Sequence, residues 1–278
     1  MSDRAVSGRT PLLEDLVALA VAAGEVVWDH FRGEVAVAQK ADASPVTVAD
    51  HAAEAVILAG LARVAPGIPV VAEEEAAAGR IPEVAERFFL VDPLDGTKEF
   101  ISGASDFTVN IGLIEFGAPT LGVVYAPARA ALYWGDVGAG QAWRAAQLPH
   151  GPRSAPTQIN VRAPAARVRV VASKSNNTPE TEAWLLASPV GSRISIGSSL
   201  KFVLVASGEA DVYPRPAPTM EWDTAAGDAI LRAAGGRVFD IDGRPLRYGK
   251  ERFFNPGFVA TGPFQPAPLR PFMSVSQA

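Results

Sequence analysis

Two aspartates three positions apart, followed directly by a glycine and a threonine, form the segment of this chain best suited to chemistry. The segment runs Asp92-Pro93-Leu94-Asp95-Gly96-Thr97 and follows an apolar run at residues 88–91. Carboxylates that leave a strand suit a hard cation, and the amides of a Gly-Thr turn suit a phosphate oxygen. Because Pro93 keeps Asp92 out of the helical conformation, stiff backbone presents both acidic groups.

Further acidic side chains fall where loops are expected to converge on one edge of a sheet. Glu73 is predicted to end a strand, and Asp223 is predicted to open a helix. Together with Asp92, Asp95 and the carbonyl oxygen of Leu94, they would form an all-oxygen site. Such a donor set favours Mg²⁺ or Mn²⁺ over Zn²⁺. Four carboxylates in one pocket repel one another, so this interpretation implies two or more divalent ions.

Each of these features also has an ordinary structural interpretation. The Asp-x-x-Asp-Gly-Thr segment fits an Asx-type turn after a strand, and the three glutamates at residues 73–75 fit the acidic start of a helix. Thr47 and Asp50 fit a capping box at the start of a helix. Asp223 fits the N-cap of the helix that follows it. The residues alone leave both interpretations open.

Composition disfavours several other chemistries. The chain has 278 residues and no cysteine, which excludes disulfides and thiolate metal sites. Its three histidines, His30, His51 and His150, fall in two predicted helices and a linker and give a Ser/His/Asp triad poor support. No Gly-x-x-x-x-Gly-Lys-Ser/Thr sequence occurs, which argues against a nucleotide P-loop. The two aspartates lie three positions apart, whereas phosphatases that form an aspartyl-phosphate place theirs two apart.

The charge balance and the hydropathy bear on partners and location. The formal charge is −5, from 25 Lys plus Arg against 30 Asp plus Glu, which argues against a nucleic-acid partner. No apolar run approaches the roughly 20 residues of a membrane span, so no integral membrane segment is expected. The N-terminal residues lack the order of a signal peptide, and the cytoplasm is the expected location.

Hydrophobic periodicity predicts the elements that must position these groups. Helices are predicted over residues 11–32, with Thr10 as N-cap, and over residues 48–65. The rest of the first half is predicted to form short strands, including a hairpin over residues 107–125. The first half is therefore expected to be α+β with an antiparallel sheet. The second half is α/β, with strands at 167–172, 192–196, 210–213 and 237–240 and helices from 178, 198–207 and 223–234. Residues 145–158 are predicted to be a linker between domains at 1–150 and 151–278, and residues from about 266 to be disordered.

At the level of motifs the chain strongly resembles the lithium-sensitive, Mg²⁺-dependent phosphatase family that includes inositol monophosphatase. The matching segments, in the order and separations typical of the family, are Ser44-Pro45-Val46-Thr47-Val48-Ala49-Asp50, Ala72-Glu73-Glu74, Asp92-Pro93-Leu94-Asp95-Gly96-Thr97 and Trp222-Asp223-Thr224-Ala225-Ala226. Segments that look like the 3′(2′),5′-bisphosphate nucleotidase (CysQ-type) branch are Lys98-Glu99-Phe100-Ile101, Gly197-Ser198-Ser199-Leu200-Lys201-Phe202, Tyr213-Pro214-Arg215 and Pro218-Thr219-Met220-Glu221-Trp222-Asp223. The resemblance covers about residues 12–262.

The resemblance implies a layered α/β/α/β/α sandwich of the lithium-sensitive sugar-phosphatase type, together with inhibition by lithium. It implies that two or three Mg²⁺ ions, which Mn²⁺ can replace, are bound by Glu73, Asp92, Asp95, Asp223 and the Leu94 carbonyl. It also implies that Asp50 and Thr97 hold the attacking water beside Glu73, and that the Gly96 and Thr97 amides hold the phosphate. Glu74 is a weaker candidate for a direct ligand.

The function predicted is Mg²⁺-dependent hydrolysis of the 3′-phosphate of adenosine 3′,5′-bisphosphate, a small-molecule phosphate ester, to AMP and phosphate by metal-activated water. Lys201 and Arg215 are the candidates for contacts with the remaining phosphate. One alternative is an inositol or sugar phosphate monoesterase. Another is a catalytically silent protein that binds metal or nucleotide on the same scaffold. The oligomeric state is left open, with a homodimer among the options.

Overall fold

The structure, a computed structural model, describes residues 11–33, 37–39, 45–164, 166–173 and 178–273. Thr10, the predicted N-cap, and Ser44, which begins the first motif, lie outside the described residues, as do residues 274–278. Within the described ranges, no helix combines the length and apolarity that crossing a bilayer requires.

The described residues form α-helices and β-strands in both halves of the chain. The helices are α1 (Pro11–Phe31), α2 (Val48–Val64), α3 (Glu73–Ala77), α4 (Thr97–Ile101), α5 (Pro179–Leu186), α6 (Leu200–Ala206) and α7 (Ala225–Ala233). The strands are β1 (Val37–Gln39), β2 (Pro45–Thr47), β3 (Val70–Ala72), β4 (Arg87–Asp95), β5 (Thr108–Glu115), β6 (Ala118–Ala126), β7 (Ala131–Asp136), β8 (Gln141–Ala146), β9 (Thr157–Ile159), β10 (Val168–Ser173), β11 (Val190–Ile196), β12 (Val212–Arg215), β13 (Thr219–Met220), β14 (Arg237–Asp240), β15 (Phe254–Asn255) and β16 (Phe258–Thr261).

The larger sheet has seven strands in the order β3-β4-β5-β6-β7-β8-β9. Strands β3 and β4 are parallel, and each later neighbour is antiparallel. Successive side chains of a strand point to opposite faces, and β4 is apolar throughout because both of its faces are covered. Phe88 and Leu90 enter the core on one side of the sheet, while Phe89 and Val91 enter the core on the other.

Three apolar cores lie between five layers of helices and sheets. Helices α1 and α2 cover the face of the large sheet that carries Phe89 and Val91. Helices α6 and α7 cover the opposite face and also contact the second sheet, whose five strands run β11-β10-β12-β16-β14. Helix α5 covers the outer face of that sheet through Trp184 and Leu185. The layered α/β/α/β/α sandwich implied by the resemblance is confirmed.

A row of three glycines lets α7 lie against the large sheet. Gly112, Gly122 and Gly135 are cross-strand partners on β5, β6 and β7. A Cβ on Gly112 would stand 2.8 Å from the Cβ of Ala225, and a Cβ on Gly122 would overlap the carbonyl oxygen of Ala226. The absence of side chains on three neighbouring strands therefore fixes where α7 begins and along which line it crosses the sheet.

Two sequence predictions about the connections are wrong. Residues 145–158 are not a structureless linker, since β8 runs to Ala146 and β9, which begins at Thr157, adds a further strand to the large sheet. The described part of the tail is ordered, because Leu269 is fully buried and Arg270–Phe272 form a short 3₁₀ turn. The division into domains at residue 150 stays a prediction.

Strand β16 is absent from the sequence-based prediction although it lies between β12 and β14 within the second sheet. Its four residues, Phe258–Thr261, are all buried. A short apolar run without alternation gives no period, so only its two strand partners identify it as a strand.

We expect Gly122→Ala to lower the free energy of unfolding by about 1–3 kcal/mol, because the added methyl group forces α7 away from the sheet. The control is Gly33→Ala, where the nearest atoms would be 3.6 Å away and little change is expected. Urea unfolding of both variants measures the difference. Equal stabilities of the two variants would contradict close packing at the glycine row.

Candidate active site

The pairing of β3 with β4 brings Glu73 and Asp92 together. Ala72 pairs with Val91 in parallel register, and Glu73 and Asp92 are the residues that follow this pair. Because parallel strands are spaced by roughly 4.8 Å and point the same way, the two acids leave the sheet side by side. Glu73 is the first residue of α3 and not the last residue of β3, so the strand ends one residue earlier than predicted.

The backbone between Asp92 and Asp95 turns while still belonging to β4. The register with β5 is interrupted between these two residues, and the Asp92 Oδ1 atom accepts a hydrogen bond of 3.0 Å from the Leu94 N–H. The Asx-type turn considered from the sequence is therefore present. Gly96 follows with φ of 95°, and a Cβ there would lie 2.7 Å from the Asp106 carbonyl oxygen. Only glycine suits this position.

Asp50 serves as a capping residue and also approaches Thr97. Its Oδ2 atom accepts hydrogen bonds from the Thr47 N–H at 2.8 Å and the Thr47 hydroxyl at 2.7 Å, which completes the predicted capping box of α2. Its Oδ1 atom lies 3.5 Å from the Thr97 hydroxyl, and that hydroxyl is also 3.2 Å from the Leu94 carbonyl oxygen. Both interpretations of Asp50 hold, one for each carboxylate oxygen.

Asp223 lies at the end of α7 that the glycine row directs towards β4. The helix begins at Ala225, two residues later than predicted, and Thr224 occupies the N-cap position. The alternative interpretation of Asp223 as the N-cap is therefore wrong. Its Oδ2 atom instead accepts a hydrogen bond of 3.0 Å from the Met220 N–H, which holds the carboxylate over the preceding turn.

All four predicted acidic ligands line one cavity of about 220 Å³. Its wall contains nine of the ten residues singled out from the sequence: Glu73, Asp92, Leu94, Asp95, Gly96, Thr97, Lys201, Arg215 and Asp223. Asp50 is buried behind this wall and reaches it through Thr97. Side chains that are far apart in the sequence thus converge on a single pocket.

Crowding of negative charge dominates the electrostatics of the cavity. Burial raises the pKa of Asp95 and of Asp223, and the neighbouring Glu73 carboxylate raises both further. The Lys201 ammonium group and the Ser199 N–H lower the pKa of Asp95 again, but they do not offset the burial. The folded chain thus binds protons at this site unless another positive charge replaces them.

The donor set fits a hard divalent cation. Four carboxylates and a backbone carbonyl provide only oxygen, and Glu73, Asp95 and Asp223 are each partly exposed to the cavity. Among the described residues, no three Asp, Glu or His side chains already stand close enough to form a metal-binding cluster. The carboxylates would draw inward around a cation, since their repulsion opposes closer approach without one.

Lys201 and Arg215 lie in the same cavity and do not have the ordinary surface placement of such residues. Lys201 is buried, and its Nζ atom donates to the Ser198 carbonyl oxygen at 2.5 Å. Burial lowers the pKa of this lysine to about 8, and the nearby Arg215 lowers it as well, whereas Asp95 opposes the change. Arg215 donates to the carbonyl oxygens of Ala217 and Pro218, so backbone groups rather than carboxylates hold its guanidinium.

A buried polar network beside Asp95 has no counterpart in the sequence-based assignment of roles. The Ser199 hydroxyl lies 2.8 Å from the Thr108 hydroxyl and donates to the Asn110 side-chain oxygen at 2.7 Å. The Asn110 amide in turn lies 3.5 Å from the Asp95 carboxylate. An asparagine between a valine and an isoleucine of β5 was the available signal, since buried polar side chains are uncommon and need partners.

We expect Asp223→Asn to stabilise the protein in metal-free buffer, by about 1–2 kcal/mol at neutral pH. Asp223 has its pKa raised from 3.8 to about 8, so the unfolded chain releases this proton while the folded chain still holds it. Rising pH therefore destabilises the wild type across that window. The advantage of the variant should grow between about pH 4 and pH 8 in urea unfolding with EDTA.

The control is Asp242→Asn, which removes an exposed carboxylate whose pKa is lowered by its hydrogen bond to Arg270. Its effect should have the opposite sign, with a slight loss of stability at neutral pH. A wild type that is more stable than Asp223→Asn at pH 8 without metal would contradict charge crowding.

Comparison with known proteins agrees with this geometry. Residues 9–262 match the inositol monophosphatase family. The chain is 47% identical over 253 residues to the 3′(2′),5′-bisphosphate nucleotidase CysQ of Salmonella typhimurium, which covers 90% of this chain and 99% of the relative. The crystal structure of CysQ from Bacteroides thetaiotaomicron, a bacterial member of the inositol monophosphatase family, matches with a TM-score of 0.76 at 36% identity, over 91% of this chain and 97% of that one.

An inositol monophosphatase from Anabaena matches with a TM-score of 0.71 at 28% identity, over 91% of each chain. These matches confirm the resemblance to the family and to its bisphosphate nucleotidase branch. The chain belongs to the inositol monophosphatase family.

Proposed function

We propose that this phosphatase hydrolyses the 3′-phosphate of adenosine 3′,5′-bisphosphate to AMP and phosphate, with Mg²⁺ as cofactor. The proposal rests on one observation: a single cavity holds four carboxylates suited to divalent ions together with two cationic side chains, Lys201 and Arg215. A substrate with two phosphates would use both parts of such a cavity. The identity to the Salmonella typhimurium nucleotidase supports the same substrate.

Glu73, Asp92, Asp95, Asp223 and the Leu94 carbonyl would hold two or three Mg²⁺ ions. When bound, these ions supply Lewis acidity that lowers the pKa of water and stabilises negative charge on the departing oxygen. The chain itself contributes the geometry: strands β3 and β4 fix Glu73, Asp92 and Asp95, and α7 sets the approach of Asp223.

Asp50 and Thr97 would orient the attacking water and take its proton. With the Thr97 hydroxyl donating to the Asp50 Oδ1 atom, its oxygen is turned to accept a hydrogen bond from water. As water attacks phosphorus, its proton moves to the Thr97 Oγ1 atom, whose own proton passes to Asp50. The Oδ2 atom of Asp50 keeps its hydrogen bonds from the Thr47 N–H and hydroxyl, so the carboxylate keeps its orientation during the proton transfer.

Gly96 and Thr97 would bind the reacting phosphate through their backbone amides. The first N–H groups of a helix have no acceptor within the helix, and Gly96 is the N-cap of α4. Lys201 and Arg215 would bind the 5′-phosphate by charge-assisted hydrogen bonds. Because both cations donate to backbone carbonyls, an incoming phosphate has no carboxylate to displace from them.

A substrate panel separates this proposal from its alternatives. Adenosine 3′,5′-bisphosphate should be hydrolysed faster than inositol 1-phosphate in side-by-side assays with Mg²⁺. The reverse order would favour an inositol or sugar phosphate monoesterase, and no phosphate release at all would favour a silent binding protein. The cytoplasm as location and a homodimer as assembly remain predictions.

We expect Asp95→Asn to reduce Mg²⁺-dependent phosphate release by at least about 100-fold while the melting temperature in EDTA does not fall. The amide keeps the shape of the side chain but removes the charge that holds the cation. A matched control is Asp136→Asn, which alters a buried aspartate that caps the turn at Ala139 outside the cavity and should leave turnover unchanged. Retained turnover of Asp95→Asn would refute its role as a ligand.

Arg215→Gln should lower kcat/KM for adenosine 3′,5′-bisphosphate by roughly 10- to 100-fold, the loss expected for a hydrogen bond between charged groups. Hydrolysis of 3′-AMP, which lacks the 5′-phosphate, should fall less than about threefold. Arg63→Gln, at an exposed position of α2, is the control and should affect neither substrate. Equal losses on both substrates would show that Arg215 does not bind the second phosphate.

A further inference from the structure

Glu54 is a buried carboxylate to which the proposed reaction assigns no part. Its side chain comes from the middle of α2 and is 3% exposed. The Oε2 atom accepts a hydrogen bond of 2.9 Å from the Glu74 N–H, and the Oε1 atom accepts one of 3.1 Å from the Glu75 N–H. Both oxygens therefore hold the backbone immediately after Glu73.

Helix α3 depends on this contact because it has no cap of its own. It is only five residues long, and Ala72 at its N-cap position has no side chain that can accept a hydrogen bond. The first N–H groups of a helix lack acceptors within the helix and need partners when buried. Glu54 provides two such acceptors from another helix, 20 and 21 residues away in the sequence.

Helix α2 thereby reaches two parts of the site at once. Asp50 and Glu54 are four residues apart, which places them on the same face of the helix. Both are buried, whereas His51 and Ala55 are exposed. One turn of α2 contacts Thr97 through Asp50, and the next turn contacts the start of α3 through Glu54.

We propose that Glu54 is a positioning residue that fixes the start of α3 so that the Glu73 carboxylate enters the cavity. This inference rests on the proposed role of Glu73 as a metal ligand. Partners that orient ligands from behind commonly change metal affinity by 10- to 100-fold when they are altered. Glu54 contacts the backbone amides after Glu73 and not the Glu73 carboxylate itself. We therefore expect a change in metal affinity at the lower end of that range.

The test uses Glu54→Gln and the binding of Mn²⁺ alone, measured from the electron paramagnetic resonance signal of the free ion. Glutamine keeps the size of the side chain but offers one acceptor oxygen and turns an N–H₂ group towards the second donor. We expect the dissociation constant for Mn²⁺ to rise about tenfold. Amide hydrogen exchange in residues 73–77 should also accelerate, because one of the two backbone N–H groups loses its acceptor.

Asp211→Asn is the matched control. Asp211 is also a buried carboxylate that accepts a backbone N–H, that of Arg169 at 2.6 Å, together with hydrogen bonds from the Arg162 guanidinium. It does not line the cavity. This variant should melt at a lower temperature while its Mn²⁺ dissociation constant stays that of the wild type.

The outcomes separate this inference from the proposed function. Weaker Mn²⁺ binding together with faster exchange in Glu54→Gln supports the positioning role. Unchanged Mn²⁺ binding in the folded variant overturns that role while leaving the proposed metal site intact. A wild type that binds no Mn²⁺ overturns the proposed function and this inference with it. If Glu54→Gln does not fold, Glu54→Asp, which keeps the charge but reaches less far, is subject to the same criteria.

Discussion

Carboxylates that share a cavity repel one another, and partial burial strengthens that repulsion because the protein interior screens charge less than water does. In this chain, in addition to burial, Asp95 and Glu73 raise the pKa of Asp223, and Glu73 also raises that of Asp95, so the fold holds these carboxylates together against an unfavourable interaction. The free energy that offsets this repulsion comes from the burial of apolar side chains in the two cores on either face of the large sheet. A bound cation would relieve this repulsion, so the crowding of the carboxylates itself favours metal binding.

Backbone geometry, more than side-chain contacts, brings these charges together. The parallel register of β3 and β4 places Glu73 beside Asp92, and Gly96 permits a turn that a larger residue would block. The glycine row allows α7 to cross the sheet closely enough for Asp223 to reach the same edge. Helix capping also positions a residue of the site, because one oxygen of Asp50 caps α2 while the other faces Thr97. The structural and the catalytic interpretations of these residues are compatible.

Much of this arrangement could be predicted from the sequence because the signals were local. Helical periodicity predicted α1 and α2 to within one residue at each end. The Asp-Pro-Leu-Asp-Gly-Thr segment predicted the turn, although β4 continues through it to Asp95 instead of ending at Val91. The convergence of Glu73 and Asp223 on that turn followed from their places at element ends. Four acidic residues of the cavity wall were thus predicted from residue type and spacing, whereas Lys201 and Arg215 were identified through the family resemblance.

Features that depend on partners distant in the sequence could not be predicted in this way. Strand β16 is only four residues long and becomes a strand through β12 and β14, while Glu54 resembles a solvated helix residue until α3 is packed against it. The sequence also allowed Asp223 to cap α7, yet its carboxylate accepts a hydrogen bond from the Met220 N–H in the preceding turn. In each case tertiary contacts decide between local options that the sequence leaves equal.

Whether the four carboxylates bind divalent ions can be measured in crystals soaked in Mn²⁺ without substrate, from anomalous scattering recorded at the manganese edge. We expect at least two anomalous peaks in the cavity, within coordination distance of the Glu73, Asp95 and Asp223 carboxylates and the Leu94 carbonyl oxygen. An ordered cavity without peaks at saturating Mn²⁺, or peaks confined to other surfaces of the molecule, would contradict it.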